Sequence, residues 1–170
     1  MEQTVSSPIA YKSIRLNGDL LTPISVFNRV SGRKKFLLES SVTHEEKGRY
    51  SFIGMNPFKE VIGEGDETKI VDFAASKEET ESGKPLEVLK KHLPQQALPL
   101  PFAFYGGAIG FIGYDAIRQY EEIGTLNPDE IGMPDIHFMF YQDVIIFDHL
   151  SQTVTVISAN LAGNRAGTEL

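Results

Sequence analysis

Cysteine is absent from the 170 residues of this sequence. This absence excludes a disulfide scaffold, zinc or iron–sulfur sites with cysteine ligands, and thiol nucleophiles. It agrees with a reducing environment, and we expect a cytoplasmic protein. Long hydrophobic runs are also absent, since no stretch approaches the ~20 apolar residues of a membrane span. The polar first residues lack the layout of a signal peptide, so we expect a protein that is not exported.

Positive charge is in short supply as well. The sequence has 16 lysines and arginines against 23 aspartates and glutamates, a formal net charge of -7. A phosphate backbone would be repelled on average, which disfavours a general nucleic-acid function. Hydrophobic residues make up 41% of the chain, and its length favours one domain, or at most one domain plus an appendage, with a buried core. The composition therefore predicts a folded globular protein.

Recognisable catalytic motifs are lacking. The chain has neither a GxSxG elbow nor a GxxxxGK[ST] phosphate loop. No histidine belongs to an HxxxH or HExxH pattern, and the four lie far apart at His44, His92, His137 and His149. The glycines of GGAIGFIG do not match GxGxxG, so we expect them to allow close packing: Gly106, Gly107, Gly110 and Gly113.

The first half of the chain shows clear local signals. Thr22 followed by Pro23 predicts the start of a helix over residues 23–31. The runs KFLLESSV and RYSFIG predict two strands that could be neighbours. Apolar runs on both sides of Gly-Glu-Gly-Asp, in EVIGEGDETKIVDF, predict a hairpin.

The second half begins with a charged segment, residues 74–83, which we expect to be a solvated loop. A helix is predicted over 85–93, with one face formed by Leu86, Leu89 and Leu93. A helix capped by Asp115 is predicted to reach about Glu122, with two inward side chains, Ile117 and Tyr120. The last run, IHFMFYQDVIIFDHLSQTVTVISAN, predicts two long strands around a turn at 148–152. Because strands and helices do not alternate regularly, we predict an α+β fold with mostly antiparallel sheet and a few short helices.

Polar residues at the end of the FLLESS strand are the best candidates for a binding site. Glu39, Ser40 and Arg49 could hold the two charges of an amino acid, and Leu38 or Phe52 could line an apolar slot. The simpler interpretation is an exposed cross-strand ion pair between Glu39 and Arg49, which contributes under ~1 kcal/mol. The residues alone favour that simpler interpretation.

Three motifs in order resemble the amino-terminal region of the anthranilate synthase component I family, which uses chorismate. They are FLLESS, then GRYSFIGMNP at 48–57, then YGGAIGFIGYDAIRQYE at 105–121. The resemblance covers about residues 11–160 and extends to aminodeoxychorismate synthase component I. It implies that a flexible arm (1–10) precedes a regulatory domain (11–160), and that 161–170 form a linker toward an absent catalytic domain.

The family implies a carbon–oxygen lyase that converts chorismate and ammonia from glutamine to anthranilate and pyruvate, in tryptophan biosynthesis. Chorismate and Mg²⁺ would bind in the absent carboxy-terminal domain. We therefore expect no catalytic residue, metal ligand or cofactor in this chain, and no activity of the chain alone. The resemblance also implies a partner, a glutamine amidotransferase subunit (component II), and neither a membrane nor a nucleic acid.

In the family, tryptophan acts as a feedback inhibitor at a site between the two domains. The resemblance places the effector-binding residues of this chain at Leu38, Glu39, Ser40 and Arg49, where some members have lysine at the last position. Two alternatives stay open. The chain could belong to an aminodeoxychorismate synthase component I, or it could be a free-standing module that binds a small ligand or a partner.

Overall fold

Two five-stranded sheets hold most of the regular structure in a computed structural model, which describes residues 9–39, 48–95, 97–124 and 130–165. The helices are α1 (Pro23–Arg29), α2 (Pro85–His92) and a 3₁₀ helix (Tyr114–Gln119). The strands are β1 (Tyr11–Asn17), β2 (Phe36–Leu38), β3 (Tyr50–Gly54), β4 (Lys59–Glu64), β5 (Glu67–Asp72), β6 (Lys77–Ser82), β7 (Gly107–Ile112), β8 (Ile136–Tyr141), β9 (Asp143–Asp148) and β10 (Thr153–Ala159). The predicted α+β class with mostly antiparallel sheet is confirmed.

The chain divides into two units. The first contains the described residues up to Pro57, residues 94–107 and those from Tyr141 onward. Its sheet, sheet 1, has the strand order β1-β10-β9-β3-β2. The second unit contains residues 58–93 and the described part of 108–140, and its sheet, sheet 2, has the order β6-β5-β4-β8-β7.

Both faces of sheet 1 are covered around β3, β9 and β10. On one face Ile53, Phe147 and Val154 pack against α1 through its side chains Val26 and Phe27. On the other face the sheet residues Val144, Ile146 and Ile157 pack against a segment without strands or helices, through Leu100, Phe102, Phe104 and Tyr105. The strand β9 therefore lies inside the core of this unit, flanked by β10 and β3.

Helix α1 begins as predicted. The Thr22 side chain accepts a hydrogen bond from the Ser25 backbone N–H at 3.2 Å, the Ser25 hydroxyl accepts from the Thr22 backbone N–H, and Pro23 is the first helical residue. Such a capping box satisfies amide groups that the first helical turn leaves without partners. The helix ends at Arg29, two residues before the predicted end, because Val30 already has extended backbone angles.

In the second unit, one face of sheet 2 is covered by α2. The predicted helix over 85–93 is confirmed to within one residue, but its inward face is shifted. Val88 and Leu89 are buried, whereas Leu93 is 36% exposed. A Cβ atom on Gly63 would lie 2.3 Å from the Cβ of Pro85, so only glycine lets the helix approach β4 this closely.

The prediction of a loop over 74–83 was wrong, because residues 77–82 form the edge strand β6. The strand was not predicted because its residues, KEETES, are mostly charged, which is typical of a solvated loop. Its backbone pairs with β5, while the side chain of Glu78 meets Lys69 of β5 at 2.7 Å. A charged edge strand discourages further strands from adding to the sheet, so this composition suits the position.

The last hairpin was predicted correctly at its turn and wrongly in its first strand. Strand β9 ends at Asp148 and β10 begins at Thr153, around the predicted turn. The run before it is two strands, β8 and β9, which are separated by Gln142 and belong to different sheets. Apolar patterning continues across the break and therefore gives no signal of it.

The glycine-rich segment confirms its predicted packing role at Gly110. A Cβ atom there would lie 2.0 Å from the carbonyl oxygen of His137 on β8. The helix that follows is a 3₁₀ helix, Tyr114–Gln119, and not one that runs from Asp115 to Glu122. Ala116 is its buried residue, so the inward orientation predicted for two side chains was wrong, and both are exposed: Ile117 (39%) and Tyr120 (49%).

Candidate functional site

Strand register brings the candidate residues to one end of sheet 1. Leu38, the last residue of β2, lies opposite Phe52 of β3. Tyr50, the first residue of β3, lies opposite Asp148, the last residue of β9. In antiparallel strands, directly opposed side chains share a face. The three strands therefore place Leu38, Tyr50, Phe52 and Asp148 on the same face.

Arg49 and Asp148 form a two-pronged ion pair at this end. Nε of Arg49 donates to Oδ1 of Asp148 at 2.9 Å, and Nη2 donates to Oδ2 at 2.7 Å. The aspartate side chain is 8% exposed and the arginine side chain 39%. Oδ1 also accepts hydrogen bonds from the backbone N–H groups of Leu150 and Ser151, at 3.1 and 3.3 Å. The carboxylate is thus held from both sides.

The electrostatics of this pair favour the ionised state of both partners. The hydrogen bond from Arg49 outweighs the opposing effect of burial and holds the pKa of Asp148 well below its ordinary value. The same hydrogen bond raises the pKa of Arg49 above its already high ordinary value. Asp148 is therefore a carboxylate throughout the physiological pH range.

This pairing corrects one expectation from the sequence. The simpler interpretation paired Arg49 with Glu39 across the strands, whereas the carboxylate that Arg49 meets is that of Asp148. Glu39 lies directly after β2 and is exposed. Leu38, the third predicted residue, is 44% exposed and lies beside Phe52. Ser40, the fourth, lies outside the described residues.

A row of aromatic rings continues from the ion pair across the face. The guanidinium carbon of Arg49 lies 4.9 Å from the centre of the Tyr50 ring. Tyr50 meets Phe102 edge-on at 5.7 Å, and Phe52 meets Phe104 edge-on at 5.9 Å. Such edge-to-face contacts add to the stabilisation from buried area. The end of the sheet therefore combines a fixed cation with a wall of aromatic side chains.

Sequence analysis missed Asp148, Phe102 and Phe104 at this site. Asp148 was assigned only to a turn, although an acidic residue that ends an apolar strand is a signal for a paired charge. The two phenylalanines alternate in the segment PFAFY, after a stretch that prolines exclude from helices and central strands. Alternating aromatics in such a segment can indicate a chain that lies against a sheet face.

The neighbouring serine and histidine have no catalytic geometry. The Ser51 hydroxyl lies 2.7 Å from Nε2 of His149, but Ser51 is only 1% exposed and so cannot reach a substrate. The His149 backbone N–H donates to the Arg49 carbonyl oxygen at 2.9 Å, and its ring stacks on that of Phe147. The pair thus holds the β9–β10 turn against β3.

The described residues do not contain three or more histidine, aspartate or glutamate side chains grouped to hold a metal ion. In the second unit, His137 meets Glu60 at 2.6 Å and His92 meets Glu81 at 3.0 Å, each as a pair; His44 lies outside the described residues. Within the described segments, no helix is long and apolar enough to cross a membrane.

A family model described as "chorismate binding enzyme" matches residues 33–170. The chain belongs to this family. All three motifs on which the resemblance rested lie within the match, as do β2, β3 and β9, which form the candidate site. The recognition of a chorismate-using family from FLLESS, GRYSFIGMNP and the glycine-rich segment is confirmed.

Within this family, the chain is similar to curated proteins named anthranilate synthase component 1. The chain is 39% identical to anthranilate synthase component 1 of Acetivibrio thermocellus over 149 residues, 85% of this chain and 30% of that protein. It is 34% identical to the protein of the same name from Lactococcus lactis over 160 residues, 91% and 34% of the two chains. A solved structure of anthranilate synthase component I from Streptococcus pneumoniae matches with a TM-score of 0.60 and 34% identity, over 88% of this chain and 32% of that chain. The chain spans about a third of the length of these relatives.

Proposed function

We propose that this chain is part of an anthranilate synthase component I and that it supplies one wall of a tryptophan effector site. The observation that carries the first half is the identity of 39% to a protein of that name over 85% of the chain. The complete protein would convert chorismate and ammonia to anthranilate and pyruvate. A glutamine amidotransferase subunit, the second component that the name component 1 implies, would supply the ammonia.

The effector site would lie at the end of sheet 1, where Leu38, Glu39, Ser40 and Arg49 were predicted. A tryptophan molecule needs hydrogen-bond donors for its carboxylate, acceptors for its ammonium group and an apolar slot for its indole ring. Arg49 can donate, Glu39 can accept, and Leu38 beside Phe52 offers an exposed apolar surface. The strand register places Leu38 and Phe52 at the end of sheet 1 next to which Arg49 precedes β3 and Glu39 follows β2, and this arrangement supports the proposal.

The proposed role of the chain is regulatory. The described residues hold neither an accessible nucleophile–base pair at the site nor a grouped metal site, so we assign no chemical step to this chain. Chorismate and Mg²⁺ would bind in another part of the protein. Tryptophan would lower activity if it bound the inactive arrangement more tightly, and a tenfold difference in affinity corresponds to about 1.4 kcal/mol. By reciprocity, chorismate would weaken tryptophan binding.

The test is a product assay on the complete polypeptide that the gene encodes. Incubation with chorismate and ammonia should give anthranilate and pyruvate, and added tryptophan should inhibit the reaction. The 170-residue chain alone should give neither product. Formation of aminodeoxychorismate in place of anthranilate would contradict the proposal and favour the aminodeoxychorismate branch of the family.

A variant separates regulation from catalysis in the same assay. Ser40→Leu should reduce inhibition by tryptophan while ammonia-dependent synthesis stays close to that of the parent, because the larger apolar side chain occupies the proposed site. Ser82→Leu, at an exposed serine of β6, is the control and should keep full sensitivity. If Ser40→Leu remained as sensitive as the parent, the effector site would lie elsewhere.

A further inference from the structure

We propose that Asp148 is a positioning residue of the effector site, which holds Arg49 by one edge of its guanidinium group and directs the other edge toward the carboxylate of an aromatic α-amino acid. This inference rests on the proposed function, because it names the device that orients the ligand-binding arginine. It assigns a role to a residue that lies 99 positions from Arg49 in the sequence.

The geometry of the pair leaves one edge of Arg49 open. A guanidinium group is a planar fork with two edges that can each grip a carboxylate, one formed by Nε and Nη2 and one by Nη1 and Nη2. Asp148 takes the first edge, through bonds of 2.9 and 2.7 Å. Nη1 of Arg49 makes no hydrogen bond with any residue that the structure describes. In the described part of the chain, the second edge is therefore unoccupied, and its two nitrogens have the geometry to bind a second carboxylate.

Two supports fix the orientation of that edge. The carboxylate of Asp148 grips the guanidinium in its plane and is itself anchored by the backbone amides of Leu150 and Ser151. The ring of Tyr50 supports the guanidinium from one face, at 4.9 Å. Asp148 is nearly buried while Arg49 is 39% exposed, so the solvent-accessible part of the pair is the arginine. The open edge is thus held in place before any ligand arrives.

The surroundings select the chemical class of the ligand. Asp148 neutralises the charge of Arg49, so a carboxylate would bind through directed hydrogen bonds more than through net charge, and such bonds depend on orientation. Phe52, two residues after Tyr50 on β3, and Leu38, opposite Phe52 on β2, lie on the same face as Tyr50. A ligand with its carboxylate at Arg49 and an aromatic ring a short distance away would contact this apolar surface.

A second aspartate on β9, Asp143, pairs with an arginine that has hydrogen-bond partners along both edges, and we call such an arginine saturated. Asp143 also binds an arginine through two bonds, both 2.7 Å, but it takes the Nη1 and Nη2 edge of Arg165. Ser158 accepts a further bond from Nη1. The side-chain amide of Gln142 lies 3.0 Å from both Nε and Nη2, and its oxygen accepts from both when the amide is assigned with that oxygen toward Arg165, the assignment that satisfies its hydrogen bonds. Both edges of Arg165 are occupied, which makes Asp143 a matched control.

The test is a double-mutant cycle on the complete polypeptide, with tryptophan affinity measured by calorimetry for the parent, Arg49→Ala, Asp148→Ala and the double variant. Tryptophanamide, which lacks the carboxylate, is the second ligand. Asp148→Ala should weaken tryptophan roughly tenfold, since an arginine without its partner must be ordered during binding. Tryptophanamide affinity should change little, and Asp148→Ala should add nothing in the Arg49→Ala background. Asp143→Ala should bind tryptophan like the parent.

Other results would overturn the inference. Equal weakening of both ligands, or further weakening in the Arg49→Ala background, would mean that Asp148 acts on the fold and not through Arg49. Asp148→Asn, which keeps an acceptor oxygen, covers the case in which the alanine variant does not fold, and it should show a smaller loss with the same ligand dependence. A parent that does not bind tryptophan would overturn the effector site itself, whereas binding by the parent and equal binding by both Asp148 variants would overturn only the role of Asp148.

Discussion

The two ends of β9 carry the same chemical pair in two different settings. At its start, Asp143 meets Arg165, and at its end, Asp148 meets Arg49. The side chain of Asp143 is 36% exposed and that of Asp148 is 8% exposed. Among the residues that the structure describes, Arg165 has partners along both edges of its guanidinium, while Arg49 has a partner along one. A saturated arginine can only hold the fold together, whereas an arginine with an open edge can also hold a ligand.

The Arg165 pair has a structural consequence of its own. Arg165 and Asn160 form two hydrogen bonds. The backbone N–H of Arg165 donates to Oδ1 of Asn160 at 3.0 Å, and Nδ2 of Asn160 donates to the backbone carbonyl oxygen of Arg165 at 2.7 Å. Together with Asp143 and Ser158, these contacts tie residues 160–165 back to sheet 1. The predicted linker over 161–170 is therefore anchored at its first five residues, and the rest of it lies outside the described residues.

The largest effect on stability is expected for Asp148→Ala. This change removes the acceptor for Arg49 and for two backbone amides at the β9–β10 turn, so the free energy of unfolding should fall by about 2 kcal/mol. Urea unfolding followed by circular dichroism would measure it. A loss no greater than that of a surface substitution would contradict the view that burial distinguishes this pair.

A smaller loss is expected for Asp143→Ala. Its pair is more exposed, and exposed ion pairs contribute little, so the free energy of unfolding should fall by about 1 kcal/mol. The same urea measurement applies, with proteolysis at residues 160–165 as a second readout, because the segment loses its anchor. Equal losses for the two aspartate variants would remove the contrast between the ends of β9.

The smallest effect is a pH dependence that belongs to Asp148. Its folded pKa is lowered, so the stabilisation is fully present above the unfolded value of about 3.9 and is lost as the pH falls toward the folded value. The difference in free energy of unfolding between the parent and Asp148→Asn should therefore be constant from pH 7 to pH 5 and shrink below about pH 4. Unfolding curves between pH 7 and pH 3 would measure it, and a constant difference over that range would contradict the assignment.

Local signals predicted the elements that depend on neighbouring residues. The start of α1 at Thr22 and Pro23, the β4–β5 hairpin and the turn before Thr153 each involve contacts within a few positions, and all three are observed. The strand β1, Tyr11–Asn17, was not predicted, because all seven of its residues are exposed and it depends on pairing with β10. The edge strand β6 was missed because its charged residues are typical of a solvated loop, whereas its strand conformation depends on pairing with β5.

The candidate site also combines residues that local sequence signals predicted with residues that only distant contacts bring in. Leu38, Glu39 and Arg49 were selected from the residues and the resemblance, and the structure places them at one end of sheet 1. Their partners could not be selected, because Phe102 and Asp148 reach the site from distant parts of the chain. An ion pair that spans 99 residues leaves no periodic pattern in the sequence.

The sequence by itself determined the α+β class, the family and the position of the strand that carries the candidate site, since short motifs and turn chemistry act over a few residues. Only the tertiary structure decided which aspartate pairs with Arg49, which edge of the guanidinium that aspartate occupies and which aromatic rings lie beside it. The sequence contains many charged and aromatic residues that could pair in this way. The strand register of sheet 1 determines which of them meet, because it brings distant positions into contact.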